Sequence, residues 1–273
     1  MSWKKFLGEL LKILLKIAVI FYFYIWQGRV VALLLSNNLI KSYYIAFIIS
    51  FSFAALILLW YIKKEGGRHA LSLKDVRWQI WIWVLLLSIS QFMFFSVFGG
   101  YPILIAKSKI TLVFIVYSFG VILFGPLVEE IVFRGLLQRH LSIKLSPWLA
   151  ILITSVLFAL VHYKSQGSVI AAFLIGIFCG FIYYKTDKLI LCILYHAFYN
   201  LLVSIFQFSL KYNNILQITT LILTIGLTVY SIRELKKTSN ANYEFVKNKN
   251  KKQKVFIDNS EIDDIAIDDI AIE

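Results

Sequence analysis

Long apolar runs separated by short charged loops dominate the pattern of this chain. A membrane-spanning helix needs about 20 mostly apolar residues, and eight segments approach that length: 10–35, 41–62, 79–99, 110–140, 147–163, 168–184, 188–210 and 214–233. The fourth segment is too long for one crossing, so its charged end should project into water. The pattern predicts an all-α bundle of about eight transmembrane helices within residues 1–233.

The composition fits a chain that faces lipid. Hydrophobic residues make up 60% of the sequence, whereas a soluble domain is roughly 45–50% apolar. The net charge of +13 would suggest nucleic acid in a soluble protein. Here most Lys and Arg residues flank apolar runs, where they set topology and contact anionic headgroups. We therefore expect the lipid bilayer as a partner and no nucleic acid.

The distribution of basic loop residues predicts the orientation of the bundle. With eight spans, both termini lie on one side, together with Lys4, Lys5, Lys63, Lys64, Arg68, Lys74, Arg77, Arg139, Lys144, Lys185 and Lys188. The opposite side holds fewer, namely Lys41, Lys107, Lys109, Lys164 and Lys211. Because positively charged loops stay in the cytoplasm, we expect a multi-pass protein of the cell membrane with cytoplasmic N- and C-termini.

The last segment, residues 234–273, is polar, with a Lys-rich stretch followed by an acidic repeat. It is too charged to bury and too short to fold alone, which predicts a disordered cytoplasmic tail. Within the sixth apolar segment, Gly176 and Gly180 have the small-xxx-small spacing that lets two helices approach closely. Packing inside the molecule is the favoured interpretation of that spacing, with a dimer face as the alternative.

Two adjacent acids inside the fourth apolar segment are the first candidates for chemistry, because ionisable residues within spans are costly and mark functional sites. Glu130 and Arg134 are four residues apart, so they share a helix face and can pair. Glu129 is rotated about 100° from that face and is left for another role. Alternatively, these acids merely mark the water-facing end of the span.

Two histidines also lie within apolar segments, out of four in the chain. His162 ends the fifth segment, and His196 and Asn200 lie one helical turn apart in the seventh. At about 1.5 Å per residue, Glu129 and His162 lie about 18 Å and about 24 Å from the turn near 142–146, whereas His196 lies about 12 Å from the turn at 185–188. The count makes His196 several ångströms shallower than the other two, a gap that helix tilt or a turn below the membrane surface would have to close.

The ordered set Glu-Glu-x-x-x-Arg, Phe-x-x-x-His and His-x-x-x-Asn resembles the CAAX-protease and bacteriocin-processing family (CPBP, or Abi) of intramembrane endopeptidases. The motifs cover 129–200, within a core at about 110–210. The resemblance implies cleavage of a peptide or membrane-protein substrate inside the bilayer. Prenylated CAAX peptides, maturation of bacteriocins or signalling peptides, and self-immunity to a bacteriocin are the pathways it suggests.

The same resemblance implies a role for each motif residue. Glu129 and His162 would activate water, and His196 and Asn200 would form the oxyanion hole. Three further residues would support the site: Glu130, Arg134 and Phe158. No cofactor is expected in such a site.

Two other interpretations stay open. In a zinc protease, Glu129, His162 and His196 would be ligands, because three such ligands and a water form an acceptable catalytic site. That interpretation leaves no obvious carboxylate as base, and no His-Glu-x-x-His occurs. A non-enzymatic transporter or scaffold would instead use intramembrane Glu and His side chains as proton relays, but the sequence lacks evident repeat symmetry. Nothing in the sequence indicates an oligomeric state.

Overall fold

A computed structural model describes residues 2–36, 40–65, 67–74, 76–97, 120–163, 168–205, 215 and 217–240. Within these ranges the ordered elements are helices, and no strand occurs, as predicted. The helices are α1 (Trp3–Ser36), α2 (Ile40–Lys64), α3 (Arg68–Leu71), α4 (Trp78–Val97), α5 (residues 120–141), α6 (Pro147–Val161), α7 (Ser168–Thr186), α8 (Leu189–Ile205) and α9 (Gln217–Asn240).

Four of the described helices are long and apolar enough to cross a membrane: Ile45–Lys64, Trp78–Val97, Val169–Thr186 and Gln217–Asn240. Pro147–Val161 and Leu189–Ser204 are shorter apolar helices. Large apolar side chains such as Leu56, Ile170 and Leu223 are exposed, which suits a surface covered by lipid. The predicted helical membrane bundle is confirmed, and the chain is a membrane protein. The count of eight spans stays a prediction.

The helix α5 changes its hydrogen-bonding pattern along its length. It is π-helical over Gly120–Phe124, α-helical over Gly125–Glu130, π-helical again over Ile131–Gln138 and α-helical over Arg139–Leu141. The i→i+5 bonds of a π-helix widen the turn, and such stretches are frequent at functional sites. Because a widened helix rises less per residue, a count at about 1.5 Å per residue overestimates the length of this stretch.

The two glycines of α7 mark where it packs against α6. A Cβ atom on Gly176 would lie 2.8 Å from the Cα atom of Ser155, and one on Gly180 would lie 2.9 Å from Ile151 Cγ2. These separations are shorter than ordinary carbon contacts, which lie at about 3.5–4.0 Å. Only residues without a side chain allow this approach. The prediction of packing inside the molecule is confirmed.

Hydrogen bonds join the basic loops to one another at one end of the bundle. They connect the start of α1, the α2–α3 loop, α3 and the turns on either side of the core helices α6 and α7. The bonds run from Arg139 Nη1 to Glu65 O (3.2 Å), from Lys188 Nζ to His69 O (3.2 Å) and from His140 Nε2 to Phe6 O (3.2 Å). The segments predicted to share the cytoplasmic side therefore lie together. The side chains of the basic residues predicted for the opposite side lie outside the described residues.

The helix α9 continues to Asn240, beyond the predicted end of the last span at 233. Leu235 is fully buried, and Glu234 pairs with Lys237 one turn later at 4.0 Å. An apolar contact and an i,i+3 pair extend the helix into the segment predicted as tail. Residues 241–273 lie outside the described part of the chain.

Candidate active site

The predicted ion pair within α5 is present and fully buried. Arg134 Nη1 lies 3.0 Å from Glu130 Oε2, and neither side chain is exposed. The second carboxylate oxygen of Glu130 lies 2.9 Å from His196 Nδ1. Glu130 therefore connects the guanidinium on its own helix to a histidine on α8. Sequence reasoning gave the first partner from spacing but not the second, which depends on how α5 and α8 pack.

Arg134 is held by groups from two further helices. Its Nη2 donates to the carbonyl oxygen of Gly176 on α7 at 2.9 Å, and its guanidinium carbon lies 4.9 Å from the Phe158 ring centroid on α6. A cation over an aromatic face is stabilised by the ring quadrupole. One turn later on α5, Gln138 makes the same type of hydrogen bond to α7. Its Nε2 atom donates to the carbonyl oxygen of Gly180 at 3.0 Å.

Glu129 faces both histidines of the motif set. Its Oε2 atom lies 4.0 Å from the Nε2 atom of His162 and 4.0 Å from the Nε2 atom of His196. Its side chain is 13% exposed, between 30% for His162 and 5% for His196. The structure thus brings together three residues from α5, the C-terminal end of α6 and α8.

The gap that the residue count left at His196 is closed in the structure, because its ring lies as near to Glu129 as the ring of His162 does. The estimate assumed regular α-helices perpendicular to the membrane. The π-helical stretch between residue 129 and the α5–α6 turn shortens α5 along its axis. This shortening acts in the direction that reduces the gap in the count.

His162 has a hydrogen-bond partner that fixes which ring nitrogen carries a proton. Its Nδ1 atom lies 2.8 Å from the carbonyl oxygen of Phe158. A carbonyl oxygen can only accept, so Nδ1 donates. A neutral His162 ring then presents the Nε2 lone pair toward Glu129.

His196 is fixed in the same way by a charged acceptor. The Glu130 carboxylate, ion-paired with Arg134, accepts from Nδ1 of His196. The Nε2 atom of His196 is therefore an acceptor in the neutral ring and a donor only when the ring is doubly protonated. Phe158 packs against both imidazoles, with its ring centroid 4.6 Å from that of His162 and 5.7 Å from that of His196.

Asn200 follows His196 by one turn on α8 and is partly buried. The main-chain carbonyl oxygen of Asn200 accepts a hydrogen bond from Ser204 Oγ at 2.8 Å. Among the described residues, no group of three His, Cys, Asp or Glu side chains is arranged to hold a metal ion. In the Glu129 centre, which consists of Glu129, His162 and His196, the Glu129 Oε2 atom lies 4.0 Å from each Nε2 atom. Two ligand atoms bound about 2.0–2.1 Å from one tetrahedral zinc ion would lie closer to each other.

Comparison with known proteins agrees with the motif set. Residues 110–202 match a family model described as Rce1-like, Type II CAAX prenyl endopeptidase Rce1-like. No curated protein and no solved structure matches the chain. The matched segment carries the three motifs, and the structure brings five of their residues into one cluster: Glu129, Glu130, Arg134, His162 and His196. The segment that carries the motifs is thus similar to the Rce1-like family of CAAX endopeptidases.

Proposed function

We propose that this protein hydrolyses a peptide bond of a peptide or membrane-protein substrate within the bilayer, with Glu129 and His162 activating water. The observation that carries the proposal is the 4.0 Å separation between Glu129 Oε2 and each of the two Nε2 atoms. That separation is too long for a direct hydrogen bond. One water oxygen at about 2.8 Å from both atoms would bridge either gap.

The tautomer of His162 supports this assignment. Its Nε2 lone pair can accept a hydrogen bond from the water, and Glu129 can take the other proton. The water oxygen then attacks the carbonyl carbon, and the carbonyl oxygen gains the negative charge. As the C–N bond breaks, Glu129 returns its proton to the leaving amine nitrogen. No covalent enzyme intermediate is required.

His196 and Asn200 are proposed to stabilise the negative oxygen in the transition state. His196 can donate from Nε2 only as an imidazolium, because Nδ1 is already bound to Glu130. The Asn200 amide, one turn away, would be the second donor.

The membrane setting that we propose is a multi-pass protein of the cell membrane with cytoplasmic termini. The clustering of the basic loops at one end of the bundle supports it. The description of the matched family suggests prenylated CAAX peptides as substrates. Maturation of bacteriocins or signalling peptides, or immunity to them, remains the other class of pathway.

The test is peptide cleavage by the purified protein in liposomes. The probes are a farnesylated CAAX peptide, the same peptide without the prenyl group, and a hydrophobic precursor peptide. We expect cleavage of at least one probe by the wild type and none by Glu129→Gln, which keeps the side-chain shape. Equal cleavage by wild type and variant would contradict the proposal.

One observation favours a zinc protease as the second candidate. Zinc-bound histidines usually donate their other ring N–H to a carboxylate or carbonyl group, and both His162 and His196 do so at Nδ1. The test is chelation followed by metal analysis of the purified protein. We expect activity to survive and no stoichiometric zinc. Loss of activity on chelation, restored by added zinc, would establish the metalloprotease instead.

A further inference from the structure

The residue that precedes His196 is bound by two side chains from α4. Ser88 Oγ donates to the carbonyl oxygen of Tyr195 at 2.8 Å, and the Tyr195 hydroxyl donates to Gln91 Oε1. Ser88 and Tyr195 are fully buried and Gln91 is 2% exposed. Ser88 and Gln91 are three apart on α4, so one face of that helix holds both the backbone and the side chain of Tyr195.

A further bond continues the network to a third helix. Gln91 Nε2 donates to the carbonyl oxygen of Ala171 on α7 at 3.3 Å, and the Tyr195 ring packs edge-on to Phe178 of α7, with centroids 6.2 Å apart. The amide of Gln91 therefore uses its acceptor toward α8 and its donor toward α7. A side chain bound at both ends has a fixed orientation.

We propose that Ser88 and Gln91 are positioning residues that, through Tyr195, set the depth and rotation of α8 at His196. This inference rests on the proposed function. The helix α4 ends at Val97, before the segment at 110–202 that matches the family model. Part of the geometry of the active site is thus set by a helix outside the motif-bearing core.

The physical reason is that His196 tolerates little movement. Its Nδ1 atom is hydrogen-bonded to Glu130 at 2.9 Å, and its Nε2 atom lies 4.0 Å from Glu129. Rotation or sliding of α8 would change both distances. A displacement of about 1 Å at a catalytic group can reduce turnover by about 10²-fold.

The chain offers a matched control on the same helix. Ser90 is also fully buried, and it accepts a hydrogen bond from Thr228 Oγ1 on α9 at 3.1 Å. Ser88→Ala and Ser90→Ala remove the same atom from the same helix. Only Ser88 contacts the residue next to His196, so the pair separates positioning of the site from general attachment between helices.

The experiment compares Ser88→Ala, Ser90→Ala, Tyr195→Phe and the double variant Tyr195→Phe/Gln91→Met in the liposome cleavage assay. Thermal unfolding is measured for each. We expect Ser88→Ala to lower kcat about 10-fold and Tyr195→Phe by up to about 10²-fold, with KM unchanged, because the loss occurs in the transition state. Ser90→Ala should keep the wild-type kcat.

The double variant replaces both partners of the buried Tyr195–Gln91 hydrogen bond with apolar groups. Because no buried polar group is then left unpaired at this bond, stability should be nearly that of the wild type. The bond that orients α8 is still absent. We expect it to unfold near the wild-type temperature yet keep the low kcat. A wild-type kcat in the double variant, or equal losses in Ser88→Ala and Ser90→Ala, would overturn the positioning role. If Glu129→Gln were as active as the wild type, the proposed function itself would fail.

Discussion

At the scale of single residues, Glu129 and Glu130 are neighbours in sequence but have different surroundings. The carboxylate of Glu130 has Arg134 and His196 as partners and no exposure. The carboxylate of Glu129 faces two imidazoles across gaps that are too long for hydrogen bonds. One carboxylate is therefore part of the framework, and the other is the one that we propose to react.

This difference predicts opposite effects of substitution. Glu130→Ala leaves the Arg134 charge buried without its partner, which should cost about 3–5 kcal/mol of stability. Glu129→Gln should unfold near the wild-type temperature and lack activity. Thermal unfolding in detergent, followed by size-exclusion chromatography, checks both variants. A destabilised Glu129→Gln beside a stable, active Glu130→Ala would exchange the two assignments.

Asn200 is predicted to act in the transition state. Loss of one oxyanion donor typically lowers turnover by about 10²–10³-fold, and an interaction made only in the transition state leaves KM nearly unchanged. We expect this pattern for Asn200→Ala, and a larger loss for Asn200→Asp, which faces the oxyanion with a negative acceptor. Steady-state kinetics decides the role. A raised KM with normal kcat would show that Asn200 only binds the peptide.

Sequence reasoning found the residues whose relation follows from helical periodicity. The Glu130–Arg134 pair lies within one helix, and spacing alone places it. The hydrogen bond from His196 to Glu130 and the contact of Arg134 with Gly176 join different helices. They depend on tilt and register between helices, which no local pattern specifies.

At the scale of elements, α5 shows the limit of counting along a helix. The apolar run at 110–140 predicts a long helix, but its periodicity does not distinguish i→i+4 from i→i+5 bonding. The π-helical stretch Ile131–Gln138 lies between Glu129 and the turn from which its depth was counted, so a count at the α-helical rise overestimates that distance. The small-xxx-small spacing of α7 predicted a close helix approach inside the molecule, but it did not identify α6 as the partner helix.

That approach gives a prediction with a matched control. Gly176→Ala places a Cβ atom 2.8 Å from the Cα atom of Ser155, and overpacking of this kind should cost about 1–3 kcal/mol. Gly226 on α9 has no atom within 4 Å of a Cβ placed on it. Gly226→Ala should therefore be neutral, or stabilising by up to about 1 kcal/mol.

Reversible unfolding in detergent measures the two glycine variants against the wild type. The steric argument requires a clear difference between them. Equal free energies of unfolding for the two variants would show that α6 and α7 separate at little cost, and the packing at Gly176 would not be specific.

At the scale of the whole molecule, the basic loops meet at one end of the bundle. Positively charged loops face the cytoplasm, so an impermeant thiol reagent should not reach Leu73→Cys in intact cells. It should reach Lys107→Cys, which the sequence places on the opposite side. Leu73 is 52% exposed, and the native cysteines are buried. Labelling of Leu73→Cys in intact cells, with Lys107→Cys protected, would reverse the orientation.

The central claim is that the Glu129 centre cleaves peptide bonds in a membrane. Its most direct test is quantitative peptide profiling of cell membranes that contain either the wild type or Glu129→Gln at equal, folded levels. We predict at least one membrane-associated peptide or protein whose cleaved form accumulates only with the wild type, together with loss of its uncleaved precursor. Identical peptide profiles in the two membranes would contradict the claim.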